Sequence, residues 1–88
     1  MRTVRIEVTA RDIARGEREE CQNCPIARAF RRAIRRRTVR AGYGYLRTAT
    51  LELVTPPEAR TFMQTFDAGL PVEPFSFDLE IPDTKGRT

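Results

Sequence analysis

Two cysteines and a run of arginines hold most of the chemistry this chain can offer. Cys21-Gln22-Asn23-Cys24-Pro25 places two thiols three residues apart. Such a pair supplies half of a tetrahedral zinc site, which takes four ligands. With 2 Cys and 0 His in the sequence, zinc at Cys21 and Cys24 would need Asp or Glu, or the same pair from a second protomer. Thiol redox chemistry is another reading, because Cys24 stands where a helix begins and the positive field of a helix end lowers a thiol's pKa. Two features oppose it. The attacking thiol of redox Cys-x-x-Cys sites is the first cysteine, at the helix start, whereas Pro25 disfavours helical geometry in the residue before it. Glu17, Glu19 and Glu20 crowd Cys21 with negative charge, which disfavours a thiolate. Structural thiols and a facultative Cys21–Cys24 disulfide are the remaining readings. No cofactor is expected.

The arginines are concentrated in one half of the chain. The net charge of +4 conceals a balance of +7 over residues 1–40 and −3 over residues 41–88. Pro25 to Arg40 holds seven Arg and no acid, and Lys85 is the only lysine. On a helical wheel Ile26, Ala27, Ala29, Phe30, Ala33 and Ile34 share one face. Arg28, Arg31, Arg32, Arg35 and Arg36 share the opposite one. Five guanidiniums on one flank can each meet a phosphate, giving salt-dependent, sequence-indifferent affinity. Arg37, Arg40 and Arg47 extend the patch if the following loop lies nearby. Tyr43 and Tyr45, flanked by glycines, are the aromatics best placed for contact with a partner. A solvated face, or one meeting an acidic protein surface, has the same pattern.

The composition narrows the classes further. At 88 residues and 10.1 kDa the chain has room for one domain and one modest core. Hydrophobic residues at 40% and five Phe exclude a disordered polar tail. No apolar run approaches the ~20 residues of a membrane helix, and Met1 to Ala10 lacks a signal-peptide core, so a cytoplasmic protein is expected. Without His the usual acid–base catalyst is missing. Asp67, close to Gly69, reads as a helix-end feature rather than a general acid. No catalytic residue is assigned.

These groups must be positioned by a small set of elements. Val4, Ile6 and Val8 alternate with polar residues as a first strand. Thr9 and Asp12 have capping-box spacing and open a short helical turn that ends at Gly16. Pro25 is suited to the first position of the arginine-bearing helix. Thr38 to Ala41 reads as a weak second strand, and Gly42-Tyr43-Gly44-Tyr45 as a turn or irregular strand edge. Ala49, Leu51 and Leu53 alternate with Thr48, Thr50 and Glu52 as a third strand. Pro56-Pro57-Glu58 starts a second long helix, with Ala59, Phe62, Met63 and Phe66 on one face and Gly69 at its end. Phe75, Phe77, Leu79 and Ile81 form a fourth strand.

The resulting order β-α-β-β-α-β predicts an α+β fold: a ferredoxin-like antiparallel sheet of four strands with two helices on one face, a pattern that a plain α+β meander also satisfies. The domain would span residues 1–81, with 82–88 a polar tail. Open edge strands offer a route to a homodimer. RNA-binding domains of this architecture stack bases on sheet aromatics. The outward positions predicted here are Thr3, Arg5, Glu7, Thr9, Thr48, Thr50, Glu52, Asp78 and Glu80. None is aromatic, so the arginine helix is the better nucleic-acid candidate.

The string Val8-Thr9, Asp12-Ile13, Gly16, then Cys21-x-x-Cys24-Pro25-Ile26-Ala27-x-Ala29, resembles small proteins of unassigned activity from actinobacteria, other GC-rich bacteria and their phages. The later run Pro57-Glu58-Ala59-Arg60 through Phe75-x-Phe77 is similar to the same group. The resemblance carries no activity or ligand with it, and leaves a phage accessory role open. The leading expectation is a non-enzymatic binding protein whose arginine helix, with Arg40, Tyr43, Tyr45 and Arg47, contacts nucleic acid or another polyanion. The alternative is an accessory protein that docks on a host protein.

Overall fold

A computed structural model describes residues 2–82; residues 83–88 of the expected tail lie outside that range. The first strand, β1 (Arg2–Val8), pairs antiparallel along its whole length with the last, β5 (Phe75–Ile81). Helix α1 (Ala10–Arg15) follows β1 directly. Thr9 caps it as its spacing with Asp12 requires: the Thr9 hydroxyl accepts from the Asp12 N–H at 3.2 Å, and the Asp12 carboxylate accepts from the Thr9 N–H at 3.0 Å. Helix α2 (Pro25–Ile34) then buries Pro25, Ile26, Ala27, Ala29 and Phe30. Proline at its first position supplies a helical φ and removes a donor that would have had no partner.

Four strands in one sheet do not form. Strands β2 (Val39–Ala41), β3 (Tyr45–Thr48) and β4 (Glu52–Val54) make a separate antiparallel sheet in the order β2-β3-β4. Among the described residues the fold is α+β with three helices and two sheets, and the ferredoxin-like expectation is overturned. The cause is local. Thr48 to Leu53 alternates like a strand, but the Thr48 hydroxyl accepts from the N–H groups of Thr50 and Leu51 at 3.1 and 3.0 Å. A side chain that satisfies backbone donors two and three residues ahead turns the chain instead of extending it. Ala49 and Thr50 become the turn of a hairpin. β2 and β4 then occupy both edges of β3, leaving β3 no edge on which β1 could pair.

Helix α3 (Pro57–Asp67) and the last strand fall where the sequence places them. One apolar cluster joins both sheets and the two long helices: Ile6 and Val8, Ile26 and Phe30, Val39 and Leu46, Ala59 and Met63, Phe77 and Leu79. Phe62, Phe75 and Phe77 stack in series at 4.9 and 5.6 Å between ring centroids. Helix α2 packs on β1 and also on β2, so it holds the two sheets together.

One ion cluster fixes that helix. Asp12 is fully buried, and both its oxygens accept from Arg32, Oδ1 at 3.0 Å and Oδ2 at 2.8 Å. Arg32 also donates to the Glu7 carbonyl at 2.9 Å. The Arg28 Nε lies 3.4 Å from Asp12 Oδ1, a charge contact without hydrogen-bond geometry. Burial raises the carboxyl pKa, but the Arg32 and Thr9 hydrogen bonds and the Arg32 charge outweigh it and hold Asp12 at about 2. Gly16 sits against the start of α2: a Cβ there would lie 2.5 Å from the Pro25 ring.

Because the folded pKa of Asp12 is depressed, its contribution is complete above the unfolded value near 4 and is lost as pH falls toward 2. The expected loss is about 2 kcal/mol, read from denaturant midpoints at stepped pH. Asp12→Asn should remove that pH dependence and destabilise by about 3 kcal/mol, since it leaves two arginines without their charge partner. Gly16→Ala should cost about 1–3 kcal/mol by forcing the Pro25 ring aside, and an unchanged melting midpoint would refute that contact.

Candidate functional site

The arginine flank of α2 is not one free strip. Arg28 and Arg32 face Asp12 and are taken up by it. Arg31 donates to the Gln22 carbonyl at 3.0 Å. The helix ends at Ile34, so Arg35 and Arg36 lie at and beyond its end rather than on its face. Arg35 is the capping residue, in the left-handed conformation at φ 59° and ψ 44°, a position that favours glycine. Arg35, Arg36 and Arg37 are exposed. Part of the expected interface is therefore structural, and the remainder has moved toward the C-terminal end of α2.

A second cationic group forms on the β2-β3-β4 sheet. Val39, Ala41 and Leu46 point into the core, so the alternate residues Arg40, Tyr45 and Arg47 point out. Arg40 stands directly opposite Arg47 in the β2-β3 register. The Arg47 guanidinium lies 5.8 Å from the centroid of the Tyr45 ring and 3.5 Å from the Glu52 carboxylate on β4. Arg40 reaches the Cys21 sulfur at 3.8 Å. Arg40, Tyr45, Arg47, Cys21, Gly42 and Gly44 line an open depression of about 250 Å³. A neighbouring one of about 200 Å³ is lined by Gln22, Arg31, Arg37, Thr38 and Val39. The two are lined by neighbouring residues of the same segments, Cys21 and Gln22 on one side and Arg40 and Val39 on the other.

The hairpin presenting these groups is held from behind. The buried Thr55 donates its hydroxyl to the Gly42 carbonyl at 2.7 Å and its N–H to the Gly44 carbonyl at 2.9 Å. On the other edge of β2, the Ala41 N–H donates to the Cys21 carbonyl at 2.7 Å. The Cys21 loop is thereby stitched to the strand that carries Arg40.

Tyr43 is separated from this group. Its hydroxyl donates to Asp67 Oδ2 at 2.6 Å, while Asp67 Oδ1 accepts from the Glu19 N–H at 2.9 Å. The hydrogen bond to Asp67, aided by partial desolvation and the carboxylate charge, pushes the Tyr43 phenol up to about 12. Asp67 is the last residue of α3, so the expected helix-end feature also clasps two distant loops. Tyr43, Asp67, Glu19 and both cysteines line a cleft of about 310 Å³.

The thiols are both free. Cys24 is the N-cap of α2 and its sulfur accepts from the Ala27 N–H at 3.4 Å. Burial pushes its pKa up despite that helix end, which works against thiolate redox chemistry. Among the described residues no group of three or more His, Cys, Asp or Glu could hold a metal ion.

Three positioning residues escaped the sequence reading in whole or part. Asp12 was legible as a cap but not as the partner of Arg32, a residue twenty positions away. Thr55 carries no local signal at all. Tyr45 was visible as an aromatic on a turn or irregular strand edge, and the structure places it at the start of β3. No protein family, curated protein or solved structure matches this chain.

Alkylation separates the two thiols. Cys21, half-buried, should react under native conditions, whereas Cys24 should label at a rate set by unfolding. Mass-spectrometric mapping showing equal rates would contradict the buried cap.

Proposed function

We propose that this is a small non-enzymatic protein that binds nucleic acid through the arginines left available at the end of α2 and on the β2-β3 face. The supporting observation is the direct opposition of Arg40 and Arg47. Like charges facing each other across a strand pair are destabilising, and Glu52 offsets only Arg47, at 3.5 Å and with both groups half in solvent. An anion seated in the depression between them would relieve the repulsion. Backbone phosphate supplies such anions in series, and arginine forks are suited to it.

Arg35 adds to this reading. A left-handed arginine costs about 1 kcal/mol relative to glycine, yet it keeps a third guanidinium beside Arg36 and Arg37. The helix flank first expected to serve contributes Arg31 at its edge, while Arg28 and Arg32 act on Asp12. The cysteines serve this arrangement as scaffold: Cys24 caps α2, and Cys21 borders the depression with its sulfur 3.8 Å from Arg40.

Binding of a fluorescently labelled oligonucleotide, followed by anisotropy from about 50 to 200 mM salt, tests the proposal. Affinity should fall steeply across that range, and Arg40→Ala with Arg47→Ala should weaken binding and reduce the log–log salt slope by about 1.4–1.8. Arg35→Gly should stabilise the fold by about 1 kcal/mol while weakening binding. No binding to any nucleic acid at about 50 mM salt would remove the reading.

A further inference from the structure

We infer that the ligand of the β2-β3-β4 face is single-stranded nucleic acid, with a base stacked over Tyr45 and Val54 and its backbone phosphate between Arg40 and Arg47. This deepens the nucleic-acid reading above and rests on it. The argument comes from how the outward residues are ordered across the sheet. In register, Arg40 on β2 faces Arg47 on β3, which faces Glu52 on β4; one step along, Tyr45 on β3 faces Val54 on β4. Tyr45 is 48% exposed and Val54 71% exposed, so the pair forms an open aromatic-aliphatic surface.

Cation and ring therefore sit next to each other on β3. Arg47 is flanked by Arg40 on β2, and Tyr45, two residues away, by Val54 on β4. That is the division a nucleotide requires, with its phosphate on one side and its base on the other. The Arg47 guanidinium lies over the Tyr45 ring, 5.8 Å from its centroid, so a base reaching Tyr45 stacks on the part of the ring that the guanidinium leaves open. Glu52 sits beyond Arg47 on the β4 side. Its carboxylate repels phosphate from the β4 side and accepts hydrogen bonds from the amino groups of bases, so it favours the same orientation.

A duplex does not satisfy this face. Its base planes are stacked internally and cannot reach Tyr45, so only phosphate contacts would remain. The helix arginines best arranged to follow a groove, Arg28 and Arg32, are bound to Asp12. Polyphosphate would meet Arg40 and Arg47 but leave Tyr45 and Val54 uncovered.

Competition titrations at one salt concentration discriminate these ligands. The probes are DNA and RNA single strands of about 12 nucleotides, a DNA duplex of the same sequence, and inorganic polyphosphate. At least one single strand should bind about tenfold or more tightly than duplex or polyphosphate, and quench tyrosine fluorescence. Tyr45→Ala should cost about tenfold in single-strand affinity with the salt slope unchanged. Tyr45→Phe should retain affinity, and Tyr45→Leu, which keeps an apolar side chain on the exposed face but lacks a ring, should lose it. Equal binding of duplex or polyphosphate, or full affinity in Tyr45→Leu, overturns this inference while leaving the general nucleic-acid reading intact. Failure of every probe to bind removes both.

Discussion

The carboxylate of Asp12 decides more about this protein than any other single group. It caps α1 through Thr9, receives both arms of the Arg32 guanidinium and draws in Arg28. These contacts tie the end of β1, the short helix and the middle of α2 into one unit. A fully buried charge would be costly without such partners. Their effect is seen in a carboxyl held near 2 in spite of its burial. The same contacts withdraw two arginines from the flank that composition alone marks as the cationic surface.

What remains for ligand contact follows from the division of the sheet. Had Thr48 to Leu53 been one extended strand, Tyr45 would have lain in a connection. The Thr48 hydroxyl turns the chain at Ala49 and Thr50, and β3 runs from Tyr45 to Thr48 instead. That shift exposes Tyr45 beside Arg47 and opposite Val54. The sheet face judged free of aromatics on the predicted strands carries one on the observed strand. Thr55 and the Cys21 carbonyl keep the hairpin in place from the other side.

Periodicity made the long elements legible. β1, α2, α3 and β5 each bury most of the residues their spacing marks, with Val4, Ala33, Ile34, Phe66 and Phe75 partly buried against the core, and Thr9, Pro25 and Gly16 act at the ends where their chemistry places them. Two kinds of information were not available from spacing. The alternation of Ala49, Leu51 and Leu53 is real, but it carries no record of a hydroxyl three residues away that prefers a turn. The arginine arc of α2 is real too, but a wheel shows which residues share a face and not what that face meets. Asp12 and Arg32 are distant in sequence and meet only because α1 folds back on α2. The same holds for Tyr43 and Asp67, which place one tyrosine in a cleft and leave the other on the open sheet.

Mapping of backbone amide shifts by NMR during titration with a single-stranded oligonucleotide tests the location of the interface most directly. The account predicts progressive shifts at Arg40, Tyr45, Arg47, Glu52 and Val54, with smaller ones at Arg35 to Arg37. Asp12, Arg28 and Arg32 should stay in place. Shifts centred on Arg28 and Arg32, or none on the β2-β3-β4 face, would contradict it.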